Sequence, residues 1–242
     1  MSTAAVALLI VAVLVGTAAQ RSTGIGFNLV VAPAATLVLP SHSVVGTVVR
    51  VALVVDVLVI LADRKAIDWH LVWHYGWPAT LAVPLAWWVG RSIDPAIIIA
   101  VTTLGTLALA AFLARPSRWT RPSERGERIS GNVAGFCSGF LGITAGITGP
   151  PLALHTSISS RPLASNRSTM ALFFAGVETV AVALHPRAAS IGLTAVLIAM
   201  TGIGMLAGGL LVGRVNEHRL RRAVLVIVAL SAVAALVGVI LG

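Results

Sequence analysis

The chain has 242 residues, 57% of them hydrophobic and only 10% charged, with a mean hydropathy of +0.97. Soluble domains run nearer a quarter charged, so the composition sets aside a water-soluble single-domain enzyme and a disordered chain and points to a membrane protein. The net charge of +9, from 17 Lys and Arg against 8 Asp and Glu, sits mostly in short loops between apolar runs; it marks topology and anionic lipid contact rather than nucleic acid.

At roughly 20 residues per span the length allows about eight to ten membrane segments, and continuous apolar runs fit helices better than a barrel. The first run, about 4–20, follows an uncharged Met1-Ser2-Thr3 and lacks a clear small-x-small cleavage site; it is read as part of the mature protein rather than a signal peptide. Runs follow at about 25–39, 43–62, 70–90 and 94–114. A polar stretch with five Arg covers 115–128, and runs resume at about 130–145, 147–159, 164–184, 189–213 and 219–241. Cys137 is the single cysteine, which excludes an internal disulfide and any CxxC site. No Cys/His cluster is present, and neither a metal nor another cofactor is expected.

Five runs, a charged linker and five runs again suggest an internal repeat. At an offset of 122, Gly24-Ile25 matches Gly146-Ile147, Pro40 matches Pro162, Thr47 matches Thr169, and Asp56 falls on Glu178. One position later, Val89-Gly90-Arg91 matches Val212-Gly213-Arg214. The expected domains are a first transmembrane repeat (1–114), a charged cytoplasmic linker (115–129) and a second repeat (130–242). With the linker inside, Arg91 and Arg214 land on opposite faces, so the repeats are expected to be inverted, a plan common in secondary transporters. The expected fold is all-α and polytopic: in each repeat, a broken or re-entrant helix pair followed by three spanning helices.

The breaks lie in the short first two runs of each half, around Ser22-Thr23-Gly24-Ile25-Gly26-Phe27-Asn28 and around Gly142 to Pro151. Gly costs about 1 kcal/mol and Pro about 3 relative to Ala inside a helix. Irregular backbone at membrane depth is tolerated only where it is buried in protein or lines a cavity. Free N–H groups and the positive end of a half-helix can hold an anion there. Gly24, Gly26, Asn28, Gly146, Thr148, Gly149 and Pro150 are the candidates for such a site. Gly131, Gly135 and Gly139, by contrast, read first as a close-packing stripe.

Asp56 and Glu178 lie deep in apolar runs, where a charged acid is expensive unless paired, protonated or wet. They are candidate proton or ion coupling groups, or else neutral acids that hydrogen bond to a neighbouring helix. Arg50 and Arg167 offer the paired donors that suit oxyanions; the alternatives are an ion pair for Arg50 and a snorkelling side chain for Arg167. Thr47, Thr169 and Asn166 are further candidate ligand contacts, though a Thr hydroxyl can equally bond back to its own helix. His155 reads as packed and hydrogen-bonded. Trp69, Trp73, Trp77, Trp87 and Trp88 bracket one span like an aromatic belt.

The segments Gly24-Ile25-Gly26-Phe27-Asn28-Leu29-Val30-Val31-Ala32-Pro33 and Gly139 to Pro151, each followed by a helix opening with small residues and Thr, resemble the sulfite exporter TauE/SafE family of membrane permeases. The resemblance covers nearly the whole chain. It implies export of sulfite, sulfonates or related anions, with broken helices near the site. Gly24, Gly26, Gly146 and Gly149 match the family's glycines, and Gly46-Thr47 and Ser168-Thr169 match its Ala-x-Gly-Thr-like segment. Phe27 and Thr148 depart from it, standing where the family has Gly. The expected function is therefore a multi-pass permease of the cell membrane, moving a small sulfur-containing or organic anion by alternating access. Its expected partners are that anion and the lipid bilayer, with a homodimer left open. The alternatives are an intramembrane enzyme using Glu178 with His155 or His185, for which no HExxH or GxSxG motif speaks, and a membrane scaffold or assembly factor.

Overall fold

Ser2 opens the first helix: its hydroxyl accepts the Ala5 N–H at 3.3 Å, satisfying one of the donors that a helix start leaves unpaired. The computed structural model describes residues 2–93, 97, 124–158 and 162–212, and every regular element among them is helical. Helix α1 (Thr3–Thr23) stops at Gly24, which takes the left-handed conformation at φ 83°. Helix α2 (Phe27–Thr36) starts at Gly26, at φ 136°. Helix α3 (Ser41–Asp63) begins after Pro40, passes through a 3₁₀ turn (Arg64–Ala66), and leads to α4 (Trp69–Ser92), whose cap Asp68 accepts the Leu71 N–H.

The second set follows the same order. Helix α5 (Glu124–Ala145) stops at Gly146, again left-handed at φ 68°. Helix α6 (Gly149–Ile158) opens on Pro150-Pro151, residues pre-set for a first turn. Helix α7 (Leu163–Leu184) begins after Pro162, and α8 (Ile191–Leu211) is capped by Ser190. Phe27 and Gly149, Ser41 and Leu163, and Trp69 and Ile191 each stand 122 positions apart.

Antiparallel α3 and α7 form the centre: Asp63, closing α3, meets Arg167, opening α7, and Arg50 meets His185 at the other end. Around them α1 packs on α8 and α4 on α5. Small residues set both outer contacts. A Cβ on Gly139 would stand 2.8 Å from the Ala79 Cβ, and one on Gly208 would stand 2.8 Å from the Ala18 carbonyl oxygen. The glycine stripe of α5 is thus a packing surface, as read above. Two apolar cores result, one around Val13, Phe27 and Val55, the other around Tyr75, Leu152 and Phe174.

Four helical segments among the described residues are long and apolar enough to cross a membrane: Thr3–Thr23, Ser41–Ala66, Leu163–Leu184 and Ile191–Leu211. Together with the outward-facing Trp69, Trp73, Trp77, Trp87 and Trp88, they describe an integral membrane protein. Helix α5 carries Glu124 and Glu127 in its first turn, where acids suit the positive end of a helix. Apart from residue 97, the runs at 94–114 and 219–241, the linker before 124, and Arg214 lie outside the described residues.

Candidate functional site

Where α1 ends, α2 begins and α6 begins, three helix termini meet the middles of α3 and α7. Gln20, in the last turn of α1, donates from Nε2 to Asp56 Oδ1 at 2.7 Å, and its Oε1 accepts the Phe27 N–H at 3.4 Å. Asn28, in the first turn of α2, donates from Nδ2 to Glu178 Oε1 at 3.1 Å and to Thr148 Oγ1 at 3.2 Å. One carboxyl from α3 and one from α7 are thus each held by a side-chain amide from the first break. Both acids are almost fully buried, Asp56 at 2% exposed and Glu178 at 1%.

These groups line a small pocket, bounded also by Gly26, Leu29, Ala52, Gly149 and Phe174. Its interior is narrow, with room for about one water. The N–H groups of Gly26, Asn28, Thr148 and Gly149 make no hydrogen bond among the described residues. Those of Gly24, Ile25, Phe27, Gly146 and Ile147 do: to Gln20 O, Thr23 Oγ1, Gln20 Oε1, Gly142 O and Leu141 O. The expectation of a whole segment of free amides is therefore narrowed to two at each break. Two acceptors add to them: Asn28 Oδ1 and Glu178 Oε2 are buried with no hydrogen-bond partner among the described residues. A buried acceptor without a donor costs about 1–3 kcal/mol, so such atoms mark a place for water, a proton or a ligand. No Lys, Arg or His lines the pocket; the partial positive charges that face it are those of the two half-helix N-termini and the amide NH₂ groups.

The other predicted residues lie elsewhere. Arg50 finds no acid among the described residues. It donates to three carbonyls, of Gly46 (2.6 Å), His185 (3.0 Å) and Pro186 (3.1 Å), tying α3 to the chain after α7. Thr47 donates to Ser43 O and accepts the Ala189 N–H at 2.8 Å. Thr169 accepts the Asp68 N–H at 2.9 Å, so each hydroxyl fixes the connection that follows the opposite central helix. Arg167 is buried against Asp63 rather than snorkelling. Asn166 is buried with Oδ1 unpartnered among the described residues, outside the pocket lining. Gly24 packs against the Arg167 backbone and Gly146 against Val45 and Val49. Pro150 opens α6 next to the lining residue Gly149.

Sequence reasoning missed Gln20, Arg21 and Asp63. The signal was available for Gln20, an amide one turn before the Gly24 break. Arg21 and Asp63 looked like ordinary ends of apolar runs. Glu178 has neither histidine beside it in the pocket: the His155 ring pairs with Ser130 at 3.0 Å and the His185 ring with the Ile143 carbonyl at 2.8 Å. No group of three His, Cys, Asp or Glu residues close enough for a metal ion occurs among the described residues.

The profile of the TauE family, sulfite exporter TauE/SafE, matches residues 8–235, and the chain belongs to that family. No curated protein and no solved structure matches it. The family implies a membrane permease of the anion and sulfite exporter type, a transporter rather than an enzyme.

Proposed function

We propose that this TauE/SafE protein moves a small sulfur-containing or organic anion, such as sulfite or a sulfonate, across the cell membrane by alternating access, holding it between the two helix breaks. The observation that carries the reading is the meeting of two half-helix N-termini, with four unspent N–H groups, at a buried polar pocket between α3 and α7. An anion is the complement of that arrangement. Asn28, Thr148 and the amides around Gly26 and Gly149 would orient its oxygens.

Asp56 and Glu178 are the coupling groups in this reading. Two ionised carboxyls and an anion in so small a volume would set three negative charges together, at low dielectric. Protons on the acids cancel that repulsion, so anion and proton are bound together and released together. Thr47, Arg50, Asn166, Arg167 and Thr169 support the site from the contacts between α3, α7 and their connecting turns.

The alternating movement is proposed to use two inverted repeats, 1–114 and 130–242. The 122-residue spacing of helix starts, the paired left-handed Gly24 and Gly146, and the reciprocal Thr47–Ala189 and Thr169–Asp68 bonds support this arrangement. The acids are matched across it, whereas Gln20 and Asn28 fall on Gly142 and Pro150.

Proteoliposome uptake of sulfite, thiosulfate, a taurine-like sulfonate and sulfoacetate, with and without a proton gradient, tests the proposal. At least one anion should move, faster with the gradient, and Asp56→Asn with Glu178→Gln should remove the gradient's effect. Absence of flux for the whole panel refutes it.

A further inference from the structure

Three charged side chains meet at one end of the central helix pair. Asp63 Oδ2 accepts Arg21 Nη1 at 2.6 Å and Arg167 Nε at 2.7 Å, and the Arg167 Nη2 lies 2.6 Å from it as an ion-pair contact. One carboxylate oxygen thus serves two guanidinium groups from α1 and α7, and Asp63 Oδ1 makes no hydrogen bond among the described residues. The cluster is well shielded: side-chain exposure is 14% for Arg21, 16% for Asp63 and 5% for Arg167. Among the described residues a single acid pairs with the two guanidiniums, which leaves one surplus positive charge. Arg21 commits one N–H donor to Asp63, and the Arg167 Nη1 makes only a long 3.5 Å contact to the Ser22 carbonyl, so several of the ten guanidinium donors stay unspent among the described residues.

Position gives the cluster its meaning. Asp63 follows Asp56 by seven residues on α3, about 10 Å along the helix axis. Arg21 is the neighbour of Gln20, and the Arg167 backbone abuts Gly24. The cluster therefore stands between the pocket and the end of the molecule that carries the exposed Arg64 and Lys65. At the opposite end the corresponding closure is neutral on the acceptor side, Arg50 on three carbonyls.

We infer that Arg21 and Arg167 form a second anion site, at the mouth of the pocket, which the Asp63 carboxylate occupies as a built-in ligand when the mouth is closed. An oxyanion with two or more acceptor oxygens takes the place of Asp63 on the paired guanidiniums, which suit such groups. Displacing Asp63 also unfastens α3 from α1 and α7. Solute arrival and opening of that end are then one event. The inference rests on the transport reading for the use made of the site, though not for the site's existence. The occupant's oxygens can belong to a free anion or to a lipid phosphate.

Binding of radiolabelled sulfate to the full chain in phosphatidylcholine nanodiscs tests it. Asp63→Asn should bind sulfate at least tenfold more tightly than the unmodified chain, and Arg167→Gln added to it should abolish the gain. Replacing a fifth of the lipid with phosphatidylglycerol separates the sources: sulfate affinity of Asp63→Asn falls if lipid phosphate is the occupant and holds if a free anion is, and both results support the site. A folded Asp63→Asn protein with unchanged or weaker affinity overturns it. Should that variant not purify as a monodisperse species, Arg21→Gln makes the same test in reverse. It leaves Asp63 and Arg167 as a matched pair, so sulfate affinity should fall at least tenfold; unchanged affinity overturns the inference. Flux without this change in binding removes the mouth site alone, and the change in binding without flux removes the transport reading alone.

Discussion

Alanine at three glycines separates backbone strain from crowding at the two breaks. Gly24 sits at φ 83°, and a Cβ there would stand 2.8 Å from the Arg167 Cα and 2.8 Å from the Met170 methyl. A left-handed L-residue costs about 1–2 kcal/mol, and forcing atoms into a packed contact adds about 1–3 kcal/mol. Gly24→Ala should therefore lose about 2–5 kcal/mol. Gly146 shares the left-handed conformation at φ 68°, but its nearest neighbours, on Val45 and Val49, would be 3.6 and 3.7 Å away. Only the strain remains, so Gly146→Ala should lose about 1–2 kcal/mol. Gly176, inside α7, has nothing within 4 Å among the described residues, and alanine there should gain about 0.5–1 kcal/mol. Unfolding of the purified protein by SDS in mixed micelles, followed by tryptophan fluorescence, measures all three. Equal losses at Gly24 and Gly146, or a loss at Gly176 matching either, would show that the breaks do not have the described geometry.

Two further substitutions divide the polar residues by role. Asn28→Leu removes the donor shared by Glu178 and Thr148; flux of the transported anion should fall at least tenfold, and near-normal flux would remove Asn28 from the site. Arg50→Leu removes three bonds to carbonyls at the half-exposed α3–α7 contact, so stability in the same SDS assay should fall by about 1–3 kcal/mol with KM unchanged; a raised KM at normal stability would place Arg50 at the substrate.

The elements were legible where backbone chemistry is local. Gly24 and Gly146 end their helices because each takes a left-handed conformation, and Pro40 and Pro162 precede the next helix start. Asp56 and Glu178 stood out because an acid amid valine and alanine has few bland explanations. Long-range partners were not legible. The Arg50 guanidinium could be paired only once the chain after α7 had been brought beside α3, 135 residues away. Thr47 and Thr169 matched in register, yet nothing in their spacing shows that each hydroxyl reaches across to the other helix's outgoing turn. Gln20 was missed because polarity at a run's end ordinarily means a water interface. Here the chain turns back at Gly24 and leaves that amide inside.

Both amides that grip the central acids, Gln20 and Asn28, are supplied by the first ninety residues, whereas residues 142 and 150 on the other side are glycine and proline. Two copies of the segment from 124 to 212 would bring together a pair of Glu178 residues with neither amide to meet them, so the acid of α7 depends on a side chain that only the N-terminal helices carry.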